Sequence, residues 1–148
     1  MMTVKPVSTA EIEGCVKVYA AAYGRPPWNE DPDSAQIRAC IRDFIGRDGF
    51  CAWCAEVDGA PVGVALGIVV PYVGGAFLRL EDICVAPDRQ RSGIGGAFIR
   101  EIERLSRALG CDSMLLATQP DVPARDFYLK QGFREIPTAY MFREYDSQ

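Results

Sequence analysis

The 148-residue chain contains no histidine. That absence removes Ser-His and Cys-His nucleophile schemes and takes away the commonest metal-ligating side chain. A basic surplus is missing too: 16 Lys and Arg stand against 20 Asp and Glu, a net charge of −4. Neutralising a phosphate backbone needs the opposite balance, so no nucleic-acid partner is expected. No apolar run approaches the roughly 18–20 residues that span a bilayer, so no membrane partner is expected either. The opening residues, Met1 to Pro6, are short and polar and do not read as a signal peptide. What remains is an ordinary globular composition, 49% hydrophobic and 24% charged, which predicts one cytoplasmic domain over 1–148.

Six cysteines, at 15, 40, 51, 54, 84 and 111, lie mostly inside apolar runs. They read as buried thiols in a reducing compartment. Cys51 and Cys54 form a Cys-x-x-Cys pair, but on a strand their sulfurs alternate to opposite faces about 10 Å apart. With no second pair and no histidine, no metal site is expected.

The periodicities predict the order β-α-α-β-β-β-α-β-α-β-β. Thr3 to Val7 is a short strand. Ser8 caps a helix with Ile12, Val16, Tyr19, Ala20 and Tyr23 on one stripe, Glu11 completing a capping box. The proline-rich stretch around Trp28 is a loop, and Asp33 or Ser34 starts a second helix bearing Ile37, Ile41, Phe44 and Ile45. Phe50 to Val57 and Pro61 to Val70 flank Asp58-Gly59, a strong hairpin signal. Pro71 to Gly75 turns the chain into a third consecutive strand, Phe77 to Val85. A helix with Ile94, Phe98, Ile102, Leu105 and Leu109 in one stripe follows. Ser113 to Thr118 is then a strand parallel to Phe77–Val85 by the crossover rule. Pro123 to Lys130 is a short helix, and Phe133–Ile136 with Ala139–Tyr145 is a closing antiparallel hairpin. The fold class is therefore α/β: a mixed sheet with helices on both faces.

Between the third consecutive strand and its helix stands Gln90-Arg91-Ser92-Gly93-Ile94-Gly95-Gly96. A glycine-rich turn opening a helix presents unpaired N–H groups at the positive end of the dipole, a ready phosphate site. The Walker-type loop needs Lys-Ser/Thr after its last glycine, where Ala97-Phe98 stands. The dinucleotide fingerprint needs glycine at Phe98 and a parallel sheet begun by that strand. Neither fits.

Gln90, Gly93 and Gly95 match the Arg/Gln-x-x-Gly-x-Gly/Ala signature of the GCN5-related N-acetyltransferase (GNAT) family, which this chain resembles. Ala124, Phe127, Tyr128, Gly132 and Phe133 match that family's second signature. The resemblance in element order covers nearly the whole chain and implies a splayed, GNAT-like sheet. It implies acetyl-CoA as co-substrate, its pyrophosphate held by Arg91, Ser92, Gly93, Ile94, Gly95 and Gly96, with Gln90 and Arg91 adding side-chain contacts. Backbone at Ile83, Cys84 and Val85 would hold the pantetheine arm, leaving Cys84 no chemical role. Asp121 stands where the family often has a pantetheine-contacting Asn; it accepts but does not donate in the same way, and it suits a helix N-cap.

Acyl transfer to an amine needs a protonated leaving thiolate. A phenol, with pKa near 10 against about 8.5 for a thiol, can protonate the sulfur, and Tyr128 stands at the family's tyrosine. Glu81 is the candidate base, because on a regular strand it shares a face with Ile83 and Val85; the alternative is a water chain with Glu81 only structural or positioning water, and Asp82 points the other way unless a bulge intervenes. Trp28, Glu30 and Asp31 form a candidate acceptor wall for a cationic amine. The expected reaction is N-acetylation of a primary amine on a small molecule, by direct attack in a ternary complex. Two alternatives stay open: an acyl-CoA-binding module without turnover, and an acetyltransferase of protein lysines or N-termini. Tyr140, Met141, Phe142 and Tyr145 suit a homodimer contact or a core.

Overall fold

Asp58 and Gly59 both adopt positive φ, 52° and 79°, the conformation that a two-residue turn needs to match strand twist. The turn pairs Val57 with Ala60 and Glu56 with Pro61, before the register shifts between Ala55 and Glu56. The computed structural model describes residues 1–26, 28 and 32–147. They divide into two units, Met1–Ala117 and Thr118–Gln148.

The first unit is a five-stranded sheet in the order β1-β2-β3-β4-β5. Its strands are β1 (Met2–Pro6), β2 (Phe50–Val57), β3 (Ala60–Tyr72), β4 (Gly75–Val85) and β5 (Met114–Leu115). The first four are antiparallel neighbours, and β5 runs parallel to β4, as the crossover rule predicts. Pro71 is still part of β3, opposite Ala76; the turn is confined to Val73 and Gly74, with Gly74 at φ 103°. β5 is shorter than expected, pairing only Met114 and Leu115 with Leu78 and Arg79.

Helices α1 (Ile12–Tyr23) and α2 (Ser34–Asp43) cover one face. Ile12, Cys15, Val16, Ile37 and Ile41 pack there on Ala52, Cys54, Val64 and Leu66. Asp33 caps α2, its carboxylate accepting from the N–H of Ala35 at 2.7 Å and of Gln36 at 3.1 Å. Phe44 and Ile45 lie just beyond α2 but still pack against that core. On the other face lies α3 (Ile94–Ala108), whose buried side is Gly96, Phe98, Ile99, Ile102 and Ser106. Leu109, expected in the stripe, is outside the helix and 54% exposed. Cys54 pairs with Val64 and Cys51 with Gly67, so the two thiols do occupy opposite faces. All six cysteines are free.

α1 starts later than its sequence suggests. Ser8 to Glu11 forms a turn, and Glu11 is the residue flanking the helix. Half of the capping box survives: the Glu11 carboxylate accepts from the Ser8 N–H at 2.8 Å and from the Ser8 hydroxyl. Lys5 bridges Glu11 at 3.0 Å and Glu56 at 3.1 Å, tying β1, the turn and β2 together. These bonds, the Ser8 hydroxyl first and Lys5 next, pull the Glu11 carboxyl down to about 2. A depressed native value means the unfolded chain takes up the proton first as pH falls. The stabilisation is thus complete above the ordinary carboxylate range and is lost on descending toward pH 2. Glu11→Gln should lower the denaturant midpoint at pH 7 and converge with the wild type near pH 2; a constant gap would refute the assignment.

The second unit holds α4 (Pro123–Lys130), with the bounds the sequence predicts and proline at its first position. The expected closing hairpin is not formed: neither Phe133–Ile136 nor Ala139–Tyr145 is a strand. A strand persists only when its N–H and C=O groups find a ladder partner. Pro137 interrupts the run, and Tyr140, Met141, Phe142 and Tyr145 are 78–95% exposed.

Candidate active site

β4 continues past its parallel partner. Pairing with β5 stops at Arg79, whereas β4 runs on to Val85. The Ala86 N–H donates to Val62 of β3 at 2.8 Å. By strand alternation the polar groups of Val85 and Ile83 therefore point to the outer edge. Among the described residues of the first unit no strand covers that edge, so there it offers donors and acceptors to an extended amide-bearing chain.

The edge leads directly into the glycine loop through a 3₁₀ turn, Pro87–Arg89. Gln90 does not reach outward for an anion. Its side-chain amide donates to the Val85 carbonyl at 3.1 Å, stapling the loop to the strand end. The Ser92 hydroxyl donates to the Arg89 carbonyl. Arg91 and Gly93 are left-handed, at φ 64° and 84°, reversing the chain so that α3 begins at Ile94. The first intrahelical bond is Ala97 N–H to Gly93 C=O at 3.2 Å. The N–H groups of Ile94, Gly95 and Gly96 thus have no acceptor within the helix and face the positive end of its dipole. A Cβ on Gly93 would meet nothing within 4 Å, so the protein leaves this surface open. A groove of about 620 Å³ lies on the side of the loop toward β1 and the end of β2, lined by Met2 and Val57 together with Arg89, Ser92, Gly93 and Ile94. The exposed N–H groups at the start of α3 can take an anion such as a phosphate.

Behind β4 the packing fixes the loop. Gly63 of β3 lies opposite Val85, and a Cβ there would come within 2.9 Å of the Phe98 ring and 3.2 Å of the Cys84 carbonyl. Cys84 faces the α1–α2 side, opposite Val64. Burial first, and then the charge of Asp82, push its thiol well up, so it remains a protonated, inert group.

The premise for Glu81 does not hold. The β3–β4 register slips between Leu66 and Gly67: Leu66 pairs with Asp82 and Gly67 with Leu80. Glu81 is the extra residue of a β-bulge, which breaks the alternation that would align it with Ile83 and Val85. Its carboxylate instead takes the Nε of Arg79. Asp82 faces α1, where the Tyr23 hydroxyl donates to its Oδ1 at 3.0 Å. In the sequence Tyr23 reads as an apolar stripe residue, and its one polar signal is a phenol closing a helix beside a loop.

Trp28 is 42% exposed, its ring edge-on to Tyr23 at 5.2 Å. Glu30 and Asp31 lie outside the described residues. Asp121 is exposed and is not the cap of α4, a place taken by Val122 without a side-chain bond.

Tyr128 is held by the way α4 ends. Gly132, at φ 93°, sends its N–H to Leu129 at 3.1 Å, and the Phe133 N–H reaches the Tyr128 carbonyl at 3.1 Å. This is the pattern of two hydrogen bonds that closes a glycine-terminated helix, in which the residue after the glycine packs on the last turn. Here that contact is Phe133 on Tyr128, ring centroids 5.5 Å apart, with Phe127 on the tyrosine at 5.2 Å.

Comparison with known proteins gives the same outline. The chain is 33% identical over 109 residues to the glucosamine 6-phosphate N-acetyltransferase of Trypanosoma brucei brucei, covering 70% of this chain and 72% of that protein. It is 23% identical over 146 residues to the aminoglycoside N(6')-acetyltransferase type 1 of Klebsiella aerogenes, 95% of each. A solved aminoglycoside N-acetyltransferase in complex with CoA superposes with a TM-score of 0.80 at 21% identity, covering 97% and 95%. The family model for the acetyltransferase (GNAT) family matches residues 12–133. By the family match over residues 12–133 and the 33% identity to the trypanosomal enzyme, the chain belongs to the acetyltransferase (GNAT) family.

Proposed function

We propose that the chain, acting as one domain, moves the acetyl group of acetyl-CoA to a primary amine on a small molecule, by direct attack in a ternary complex. The observation that carries this reading is the continuity of the uncovered β4 edge with the glycine loop. That continuity suits one ligand with an amide-bearing arm at one end and a pyrophosphate at the other. Ile83, Cys84 and Val85 take the arm by backbone, and Arg91 to Gly96 take the phosphates. Gln90 serves by bracing the loop, and Asp121 is assigned to the arm. Tyr128 protonates the departing sulfur. Trp28, with Glu30 and Asp31, borders the acceptor.

The relatives named above act, by name, on an amino-sugar phosphate and on aminoglycosides, and this chain is assigned the same broad class of acceptor. A homodimer covering Tyr140, Met141, Phe142 and Tyr145 would bury the apolar surface that the single chain leaves open. Six free cysteines suit the cytoplasm. No described helix is long and apolar enough to cross a membrane.

The test is release of CoA thiol from acetyl-CoA with glucosamine 6-phosphate, neamine, spermidine and a lysine peptide as acceptors. Acceleration by an amino sugar is expected. CoA binding without acceleration by any amine would replace this reading with that of an acyl-CoA-binding module, and acceleration by the peptide alone would move the acceptor to protein. In the same preparation, a solution mass of one chain would remove the dimer.

A further inference from the structure

β1 forms the border of the sheet opposite to β5, and among the described residues no strand pairs with its outer side. The Val7 N–H donates to the Ala52 carbonyl at 2.9 Å, and Pro6 stands opposite Trp53. By alternation along an antiparallel pair, Lys5 and Thr3 turn their backbone groups to β2, while those of Val4 and Met2 point outward. Proteins commonly guard such a border with lysine and proline. Here the guard stands at one end only. The Lys5 ammonium is drawn back to Glu11 and Glu56, and Pro6, which lacks an N–H, closes the strand. The outward N–H and C=O groups of Met2 and Val4 are left without a ladder.

The wall beside that border is α3. A cavity of about 630 Å³ is lined there by Val4, Arg100, Glu101 and Arg104, and it shares Met2 and Ala97 with the groove beside the glycine loop. Together the two form a trough next to β1. Along it Arg89, Arg100 and Arg104 stand against Asp88 and Glu101. Glu101 is already engaged, accepting from Arg104 Nε at 3.0 Å. Arg100 is exposed and, among the described residues, is bonded to no carboxylate. The chain as a whole carries −4, so the trough reverses the sign of the protein. A positive wall beside an unpaired strand is complementary to an extended chain that carries acids.

We propose that this trough docks an extended acidic segment of a partner protein, which pairs with β1 and sets its carboxylates on Arg100 and Arg104. Recognition has two parts. The outward groups of Met2 and Val4 bond the backbone of the segment, as one more strand on the sheet. Side chains of a strand alternate between faces, so acids at every second position face α3 while the residues between them face away from it. The paired stretch is short, because Pro6 offers no N–H beyond Val4. This border is the one remote from β4 in the strand order, so docking here does not depend on acyl transfer.

The probe is a blocked heptapeptide of alternating glutamate and valine, titrated into the full chain by calorimetry and followed by amide hydrogen exchange. Saturable binding is expected, weaker at high salt, with slowed exchange at the Val4 amide. Arg100→Glu should weaken it by about tenfold, because repulsion replaces attraction, with the CoA dissociation constant unchanged. If Arg100→Glu disturbs CoA binding, Arg100→Gln takes its place, with a loss of about threefold. The same peptide methylated on every backbone nitrogen should not bind, and neither should one with lysine for glutamate. No binding of the glutamate peptide, equal binding of either control, or wild-type affinity in the Arg100 variant would overturn the proposal. Binding abolished by saturating CoA would move the carboxylates to the phosphate cradle and overturn it as well. A dimer in solution that Arg100→Glu dissociates would give the border to a second copy of the chain instead.

Discussion

Tyr128→Phe should bind CoA as the wild type does and transfer acetyl at least about tenfold more slowly, the scale of a lost general acid. The substitution removes one oxygen and keeps the ring that Phe127 and Phe133 contact, so the end of α4 retains its packing. What it takes away is the hydroxyl; a phenol ordinarily holds its proton more tightly than a thiol, the order relevant to a sulfur that leaves neutral. The measurement is kcat with a verified acceptor beside a CoA titration. Unchanged turnover would end the role of Tyr128, while weakened CoA binding would make it a binding residue.

Gly63→Val should lower stability by about 1–3 kcal/mol, the usual cost of forcing atoms into a filled core. Even the first added carbon meets the Phe98 ring at 2.9 Å, and Phe98 is fully buried. On the strand side the Cys84 carbonyl, at 3.2 Å, belongs to backbone and gives little. α3 must therefore move. Phe98 is about one turn from Ile94, where the open N–H groups begin, so the displacement reaches the phosphate cradle. Chemical denaturation should show the lost stability, and the CoA dissociation constant should rise in the same variant. A destabilised protein that still binds CoA normally would show that the cradle does not depend on the seating of α3.

Features governed by short stretches of chain were legible in the sequence. Asp58-Gly59 needs only two residues that tolerate positive φ, and Asp33 needs only two amides within reach. The bounds of α4 follow from Pro123 and Gly132. The glycine loop was legible for the same reason, although Gln90 turned out to brace the strand end. The bulge at Glu81 was not legible, because it depends on how β3 and β4 slide past each other. That slip decides which acid faces α1, and it joins Tyr23 to Asp82 across 59 positions of sequence. The closing hairpin failed for another reason. The apolar and aromatic run Tyr140-Met141-Phe142 gives the stretch a capacity to pair, but pairing needs a partner edge.

The glycine stop of α4 has one further consequence. The spacing Tyr128-x-x-x-Gly132-Phe133 acts as a ruler: the tyrosine is located by counting back from where the helix is made to end. Each residue of a helix turns the next by about 100°. One residue inserted or removed between Tyr128 and Gly132 would leave both signature ends intact and swing the phenol by that angle. In this chain the length of the gap therefore sets the direction of the phenol as firmly as the residues that bound it.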